Sequence, residues 1–282
     1  MSTSTDRNSH CFSRWVIGAW LAAAGVMAPL GQQTRAADFP VHDTGDPVAN
    51  GAALVGAINA AMHTAEEDDR VLLDAGVRYV LTNADASTPN TGLPVINSGI
   101  SIQGGFNSKG DITTIERQAG SAPFRILLIQ PRIEWAKMPG CSGPTPVDIK
   151  PTVRLEYLKI TNGDASGAGP VDNMGGAIQN EDGQLFLLRS ELSGNTAGLG
   201  GGIDNYPYLL IFTNYCSATP TKEGKSFLGD VTIQETRVHG NSASDSGGGI
   251  NNAGGLMRID HSTVDVNQTG VYGAARVWSC RN

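Results

Sequence analysis

The sequence is poor in aromatic residues and in the patterns that bind metals or phosphate. Aromatic residues make up 6% of the 282 residues, whereas 36 residues are glycine and the apolar fraction is an ordinary 40%. This balance is typical of a turn-rich all-β protein and excludes a disordered chain. No Cys-x-x-Cys or close histidine pair is present, and no Gly-Lys-Ser/Thr follows a Gly-Gly pair. We therefore expect no metal site and no nucleotide or other cofactor.

Long apolar runs are also absent, except near the N-terminus. Two arginines precede an apolar run from Trp15 to Leu30, and small residues follow at Ala36 and Ala37. This order predicts a signal peptide over residues 1–36, cleaved after Ala36 or Ala37, with an uncleaved helix as the alternative. We expect a secreted, periplasmic or cell-surface protein with no membrane span in the mature chain.

Basic charge is scarce as well. Removing residues 1–36 takes three of the 20 basic and one of the 27 acidic side chains, which leaves a formal net charge of −9. An acidic surface of this size argues against nucleic acid as a partner.

What is abundant is a repeated phrase of the form Gly-Gly-x-Ile, which ends at Ile178, Ile203 and Ile250. The segments 178–195 and 250–267 have the same length, and each begins with Ile and ends in Asn. Between these ends they match at equivalent positions: Asn180 and Asn252, Gly183 and Gly255, Leu187 and Ile259, Ser190 and Ser262, and Leu192 and Val264. Two more segments fit the same register: Val231, Ile233, Thr236, Val238 and Asn241, and Val153, Leu155, Leu158 and Ile160. Such repetition predicts a solenoid, in which each repeat packs on the next.

The spacing within a repeat predicts strands. Leu185 and Leu187 alternate with Phe186 and Leu188, which is a period of two and not the period of an amphipathic helix. Stacking would place equivalent residues in two interior columns: Val153, Leu185, Val231 and Met257, and Leu155, Leu187, Ile233 and Ile259. The Gly-Gly pairs predict corners or close backbone approach.

The Asn at the end of each repeat suits a corner, because Asn tolerates the left-handed backbone conformation. Stacked at about 4.8 Å, the side chains of Asn195, Asn241 and Asn267 would also bond amide to amide as a ladder. We interpret these residues as structural.

In these repeats the chain resembles secreted right-handed parallel β-helix proteins with polymorphic-outer-membrane-protein-like Gly-Gly-x-Ile/Asn repeats. The resemblance spans roughly Asp38 to Thr269. The segment 51–61 is similar to the Cys-Ser-Leu-Arg-Glu-Ala-Ile motif of such proteins, but keeps only Leu54, Ala57 and Ile58 of it. The resemblance implies an all-β, right-handed parallel β-helix.

Helical spacing of Leu54, Ala57, Ile58 and Ala61 predicts a capping α-helix near residues 51–64, which would cover the first coil. We therefore predict a signal peptide at 1–36, a β-helix domain at 37–270 and an irregular tail at 271–282. No further Gly-Gly-x-Ile follows Asn267, as in a truncated repeat protein.

Four cysteines are present, and Cys11 falls in the signal peptide. Cys141 and Cys216 each lie in an irregular insertion just before a repeat strand, and loops leaving the same side of a stack would meet. We regard these two as a candidate disulfide of an exported chain, for which the geometric demand on the two loops is strict.

Parallel β-helices also serve as polysaccharide lyases and hydrolases, so catalysis must be judged from residues. Gly-His-Gly is absent, the Asp68-Asp69 pair follows the cap helix, and Arg258-Ile-Asp260 ends in the wrong charge for a pectin hydrolase. A pair of carboxylates facing each other at about 6.5–9.5 Å cannot be assembled. We predict no catalytic residue. A lyase or hydrolase using the insertions 132–148 and 206–227 is the alternative.

Outward positions of the four repeats are the natural place for a binding site. They form three rows: Arg154, Phe186, Thr232 and Arg258; Tyr157, Arg189, Glu235 and His261; and Lys159, Glu191, Arg237 and Thr263. The third row alternates in sign, which predicts ion pairs among Lys159, Glu191 and Arg237. The second row is the candidate binding surface, with a plain solvated face as the alternative.

These observations predict a secreted or cell-surface, non-catalytic, adhesin-like protein that binds carbohydrate or protein partners. Two alternatives stay open: a carbohydrate-active enzyme, and a truncated copy of a larger surface protein.

Overall fold

The computed structural model describes residues 36–64, 68–88, 90–167, 173–216 and 221–270. Most of the predicted signal peptide, Cys11, Cys280 and the predicted tail lie outside these residues. The described part is mostly β, with parallel sheets and one helix, which confirms the all-β class. In this part of the chain, no helix has the length and apolar character needed to cross a bilayer.

The elements up to the third repeat segment are, in chain order, β1 (Asp38–Val41), α1 (Pro47–Met62), β2 (Asp69–Leu73), β3 (Arg78–Leu81), β4 (Ile100–Gln103), β5 (Thr113–Arg117), β6 (Leu127–Ile129), β7 (Arg132–Lys137), β8 (Pro144–Ile149), β9 (Thr152–Glu156), β10 (Leu158–Thr161), β11 (Ile178–Asn180), β12 (Gln184–Leu188), β13 (Glu191–Ser193), β14 (Thr196–Leu199) and β15 (Ile203–Asn205). The remaining elements are β16 (Tyr208–Asn214), β17 (Thr221–Phe227), β18 (Asp230–Gln234), β19 (Arg237–His239), β20 (Ser242–Ser246), β21 (Ile250–Asn252), β22 (Met257–Asp260), β23 (Thr263–Asp265) and β24 (Gln268–Thr269).

Four parallel sheets are formed by strands that are far apart in sequence. Sheet 1 has the order β1-β2-β4-β9-β12-β18-β22, sheet 2 the order β3-β5-β10-β13-β19-β23, sheet 3 the order β6-β11-β15-β21, and sheet 4 the order β14-β20-β24. Each repeat contributes one strand to sheet 1 and the next strand to sheet 2. Neighbouring strands therefore come from successive repeats, and the core depends on contacts between repeats.

Both predicted interior columns are confirmed by the register of sheet 1. Leu185 pairs with Val153 and Val231, and Leu187 pairs with Leu155 and Ile233. These six side chains are at most 1% exposed. In the last repeat, Met257 and Ile259 continue the columns and are partly buried. Full burial of such a side chain contributes about 1.5–3 kcal/mol, so the columns are a main source of stability.

The predicted asparagine ladder is also present. Asn195 Nδ2 donates to Asn241 Oδ1 at 2.8 Å, and Asn241 Nδ2 donates to Asn267 Oδ1 at 3.0 Å. The same oxygens accept the backbone N–H groups of Asn195 and Asn241, each at 3.0 Å. The side-chain oxygen of each Asn thus accepts hydrogen bonds from both the side chain and the backbone N–H of the Asn in the preceding repeat.

The predicted left-handed conformation of these asparagines is wrong. The residue just before each one has the positive φ: 66° at Gly194, 62° at Gly240 and 51° at Val266. The turn is completed one residue earlier, so that the Asn side chain points inward and reaches its ladder partner.

Two further polar ladders were not expected from the sequence. Asn180 Nδ2 donates to Asn205 Oδ1 at 2.8 Å, and Asn205 Nδ2 donates to Asn252 Oδ1 at 2.7 Å. At another corner, side-chain hydroxyls accept backbone N–H groups of the preceding repeat, in the pairs Leu158 to Ser190, Ser190 to Thr236 and Thr236 to Ser262. Corners of successive repeats are therefore bonded through side chains as well as through strands.

The Gly-Gly pairs form corners with close backbone approach, as predicted. Gly200 and Gly247 have φ values of 60° and 64°. A Cβ atom at these positions would lie 2.2 Å from the carbonyl oxygen of Ile203 and 2.6 Å from that of Ile250, respectively. Only glycine fits there without a shift of the main chain.

The helix α1 begins four residues before its predicted start. Asp46 caps it by accepting the Val48 N–H at 2.9 Å, and Pro47 occupies the first turn. This Asp-Pro start is a recognised N-terminal signal, and it lies before the apolar stripe from which the start of the helix was predicted. Helix α1 packs on β1, β2 and β3, so it covers the first strands of sheets 1 and 2. Its buried apolar side chains are Leu54, Ile58 and Ala61.

The two insertions are not irregular but form antiparallel hairpins, β7–β8 and β16–β17. A disulfide joins Cys141 to Cys216, the pair singled out from the sequence. The Ser142 N–H also donates to the Tyr215 carbonyl at 2.9 Å. The strand alternation of β8 is concealed in the sequence by Pro144 and Pro146. The hairpins thus form a cross-linked pair outside the parallel sheets.

We predict that Asn241→Ala lowers the free energy of unfolding by about 2–3 kcal/mol, because it leaves the buried Asn195 N–H without its acceptor. Urea unfolding measures this change. Asn83→Ala is the control, since Asn83 is exposed and bonds only to Thr82 in the described part of the chain, and should change stability by less than about 0.5 kcal/mol. Equal effects of the two substitutions would contradict the role of the ladder.

We predict that replacing Cys141 and Cys216 together by Ser loosens the hairpins while the parallel sheets stay folded. The closed loop spans 75 residues, for which chain entropy sets an upper value of about 4.5 kcal/mol. Limited trypsin digestion should cut faster after Lys137 and Lys222, in the hairpins, than in the wild type. Wild-type protein treated with a reductant serves as the matched control. Unchanged digestion would contradict the prediction.

Candidate functional site

A surface groove of about 590 Å³ lies along the corner where the chain passes from sheet 1 to sheet 2. It contains the whole second outward row, Tyr157, Arg189, Glu235 and His261, together with Phe106 and parts of sheet 2. The structure therefore brings together the four candidate residues that the sequence placed in register.

The four residues are corner residues, not strand residues. Each lies between a strand of sheet 1 and a strand of sheet 2, with φ values of 54° at Tyr157, 47° at Arg189, 48° at Glu235 and 44° at His261. This left-handed conformation costs roughly 1–2 kcal/mol for a residue with a side chain, and glycine would adopt it without that cost. Four large polar side chains nevertheless occupy the positions. Such repeated strain at one surface favours a functional role for it.

Arg189 is at the centre of the groove's contacts. Its Nη1 donates to the Tyr157 hydroxyl at 2.9 Å, and its Nε donates to Glu235 Oε2 at 3.1 Å. The guanidinium carbon also lies 5.5 Å from the centre of the Tyr157 ring. The Glu235 carboxylate, followed by the Tyr157 hydroxyl, raises the pKa of Arg189. These contacts hold the guanidinium in one place while it keeps further N–H donors for a ligand.

Aromatic surface adjoins this polar centre. Phe106 is 54% exposed and meets Tyr157 edge to face, with the ring centres 6.1 Å apart. An exposed aromatic ring beside fixed hydrogen-bonding groups is a common arrangement in binding sites, because it combines apolar area with orientation.

The third outward row forms ion pairs, but not entirely as predicted. Lys159 Nζ lies 2.8 Å from Glu191 Oε1, as expected. Arg237, however, pairs with Asp265 at 3.0 Å instead of with Glu191. His239 lies 3.2 Å from Glu191 and takes the place expected for Arg237. Asp265 belongs to the next repeat but was not counted among the outward positions, so the sequence analysis missed it.

Charges lining the groove are balanced. Arg189 and Arg237 are matched by Glu191 and Glu235. Burial alone would raise the pKa of Glu191, but bonds from Lys159, Ser193 and His239 lower the pKa below its ordinary value. His261 Nδ1 lies 2.8 Å from Asp260 Oδ1 at the end of the row. The groove thus has little net charge within an acidic protein.

The first outward row lies on the face of sheet 1 and outside the groove. There the Arg154 guanidinium lies 4.5 Å from the centre of the Phe186 ring, on the neighbouring strand. This contact partly covers an aromatic ring on the outer face of the sheet.

Two buried carboxylates outside the groove were missed by the sequence analysis. Asp204 is fully buried in sheet 3, where it accepts a hydrogen bond from Asn251 at 2.6 Å. Burial raises the pKa of Asp204 to about 7, against the opposing effects of Asn251 and Arg125. No sequence motif marks it, because Asp204 occupies an outward position that is covered only in the folded protein.

The second buried carboxylate is Asp182, at the base of the hairpins. Lys150 Nζ lies 3.0 Å from its Oδ1 and donates to the Leu228 carbonyl at 2.6 Å. Burial raises the pKa of Asp182, and the nearby Asp148 adds to that effect. Lys150 thus links the ends of both hairpins to the parallel sheets.

Nothing in the described ranges resembles a metal centre, since no group of three or more His, Cys, Asp or Glu residues is arranged to hold an ion. Comparison of the chain with protein-family models, with curated proteins and with solved structures finds no match in any of the three. The groove must therefore be interpreted from its own chemistry.

We predict that Asp204→Asn stabilises the protein at pH 8 and has little effect near pH 4. Folded Asp204 keeps its proton up to about pH 7, whereas the unfolded chain releases it near its ordinary value. Stability therefore falls as pH rises from about 4 to 7, and the full difference corresponds to roughly 4 kcal/mol. Urea unfolding across this pH range, of both variant and wild type, measures the effect.

The matched control is Asp245→Asn, because Asp245 is exposed on β20. It should leave the pH dependence of unfolding unchanged. Wild-type-like pH dependence in Asp204→Asn would contradict the burial of this carboxyl group in the folded protein.

Proposed function

We propose that the chain is a right-handed parallel β-helix and acts as a secreted or cell-surface, non-catalytic, adhesin-like protein whose groove binds carbohydrate. The observation that carries this proposal is the corner row, in which Tyr157, Arg189, Glu235 and His261 project from left-handed positions into one groove. If these positions served only to make the turn, glycine would be the residue with the lowest conformational cost there.

The proposed architecture is supported by the sheets. Each parallel sheet takes its strands from successive repeats, and α1 covers the first strands. Parallel strands joined by crossovers within a sheet are right-handed in about 98% of cases, because of the twist of the strands. The hand of the proposed coil follows from this rule.

The ligand class is inferred from charge and shape. Two arginines and two glutamates balance within the groove, so a polyanion gains little from it. Sugar hydroxyls accept from a guanidinium and donate to a carboxylate, and the apolar face of a sugar ring packs on an exposed aromatic ring. Phe106, Tyr157, Arg189 and Glu235 supply these contacts for an uncharged glycan.

The absence of turnover is supported by Glu191, one of the carboxylates that line the groove. A general acid for glycoside cleavage needs a pKa raised towards the working pH. The pKa of Glu191 is instead lowered by its ion-pair partners. The carboxylates whose pKa is raised, Asp182 and Asp204, do not line the groove.

Export is supported by the signal-peptide pattern of residues 1–36 and by the bond between Cys141 and Cys216. Disulfides persist in oxidising compartments and are rare in the cytosol. The cross-linked hairpins therefore fit a protein that works outside the cytoplasm.

We predict that the chain from residue 37 binds neutral glycans on an array without releasing sugar in a parallel turnover assay. Tyr157→Ala and Arg189→Ala should each weaken binding by about tenfold or more, since each removes a hydrogen bond or a ring contact between the groove and the glycan. Binding to the best glycan is measured by titration calorimetry.

Arg154→Ala is the matched control, because Arg154 is an outward arginine of the neighbouring sheet-1 face and lies outside the groove. It should bind like the wild type. Release of reducing or unsaturated sugar would favour the enzyme alternative. Loss of binding in Arg154→Ala equal to that in Arg189→Ala would contradict the assignment to the groove.

A further inference from the structure

Asp69 is a fully buried carboxylate at the start of β2. Within the described ranges, the Ala37 N–H donates to its Oδ1 at 2.7 Å and the Thr64 hydroxyl donates to its Oδ2 at 2.5 Å. Among the described residues, the Lys, Arg and His ion pairs all involve other carboxylates. A buried carboxylate normally needs a cation or several donors, because removing it from water is costly.

Ala37 is held firmly against this carboxylate. Its carbonyl accepts the Arg70 N–H at 2.8 Å, and the next residue, Asp38, pairs in register with Arg70 in sheet 1. The Asp38 carboxylate also accepts hydrogen bonds from both Nε and Nη2 of Arg70, each at 2.7 Å. These contacts are all made by atoms that follow the Ala37 nitrogen in the chain. They therefore hold the nitrogen beside Asp69 without help from residue 36.

The same nitrogen belongs to one of the two peptide bonds at which the signal-peptide pattern predicts cleavage. Cleavage after Ala36 leaves Ala37 as the first residue, with its nitrogen still beside Asp69. Cleavage after Ala37 removes that nitrogen, so that of these two contacts Asp69 keeps the one with the Thr64 hydroxyl. The contact between the Ala37 nitrogen and Asp69 therefore distinguishes between the two predicted cleavage positions.

We propose that hydrolysis of the Ala36–Ala37 bond creates an α-ammonium group on Ala37 that forms a partly buried ion pair with Asp69 and locks β1 onto β2. Water adds across the peptide bond, its oxygen going to the Ala36 carbonyl carbon. Both water protons end on the Ala37 nitrogen, which gives a carboxylate on Ala36 and an ammonium on Ala37. This inference rests on the export that the proposed function includes.

The ion pair makes processing a step in completing the fold. Before cleavage, the Ala37 nitrogen is a neutral amide with one N–H, so the Asp69 charge is not neutralised by it. After cleavage, the ammonium matches the charge at a distance typical of charge-assisted hydrogen bonds. The first strand of sheet 1, which α1 also contacts, is then held by a charge that the precursor lacks.

The test compares two purified chains that differ only in where they begin. One begins at Ala37, produced by cutting a removable fusion immediately before that residue, and the other begins at Thr34, so that the Ala37 nitrogen stays an amide. Asp69→Asn is made in both, and urea unfolding is measured. In the chain that begins at Ala37, we expect Asp69→Asn to reduce the folding equilibrium constant. The reduction should be about tenfold or more greater than the reduction in the chain that begins at Thr34.

Asp245→Asn is the control for both chains, because Asp245 is exposed on β20, in a repeat far along the chain from Ala37. Its effect should be the same in the two chains. An equal effect of Asp69→Asn in the two chains would overturn the ion pair.

If Asp69→Asn fails to fold, the comparison of the two wild-type chains decides. The chain from Ala37 should be the more stable at pH 7, and the difference should vanish as pH rises and the α-amino group loses its proton. No difference at pH 7 would overturn the proposal.

N-terminal sequencing of the exported protein separates this inference from the proposed function. A first residue of Ala37 supports the proposal, and a first residue of Asp38 overturns it. A chain that is not exported at all counts against the proposed function. In that case the purified chains still decide whether a charged Ala37 pairs with Asp69.

Discussion

The structure depends on the pairing of buried polar side chains between successive repeats. Asn195, Asn241 and Asn180 are fully buried, and in the part of the chain that the structure describes each one bonds the side-chain amide of an Asn in a neighbouring repeat. A shift of one residue in any strand would leave these amides unpaired in the interior, at a cost of about 1–3 kcal/mol for each group. The apolar columns favour stacking in general, whereas the amide and hydroxyl ladders allow a single register.

That register also builds the groove. Because the hydroxyls of Ser190 and Thr236 point inward and bond the preceding repeat, the residue before each one must make the turn in a left-handed conformation. Its side chain then projects outward, and equal spacing of the repeats lines these side chains up. A structural requirement at the corner thus produces a row of exposed groups whose identities are free to suit a ligand.

Much of the fold could be predicted from the sequence, because its signals repeat. The columns of Leu155 and Leu187 and the ladder of Asn195 and Asn241 follow from aligning one repeat with another. The hairpins could not be found in this way, since each insertion occurs once and Pro144 and Pro146 conceal the alternation of β8. The burial of Asp204 and Asp69 could not be predicted either, because the atoms that cover them come from distant segments. The four groove residues were found as a row, but their left-handed backbone was assigned to the asparagines instead.

Hydrogen exchange of individual backbone amides tests the central claim most directly. The N–H groups of Gly163, Asn195 and Asn241 lie at corners and donate to side-chain oxygens of the next Asn along the ladder. If the ladders fix the register, these amides exchange as slowly as those of the central strands β12 and β18, through global unfolding alone. Fast exchange at these three amides, with slow exchange in β12 and β18, would contradict the account.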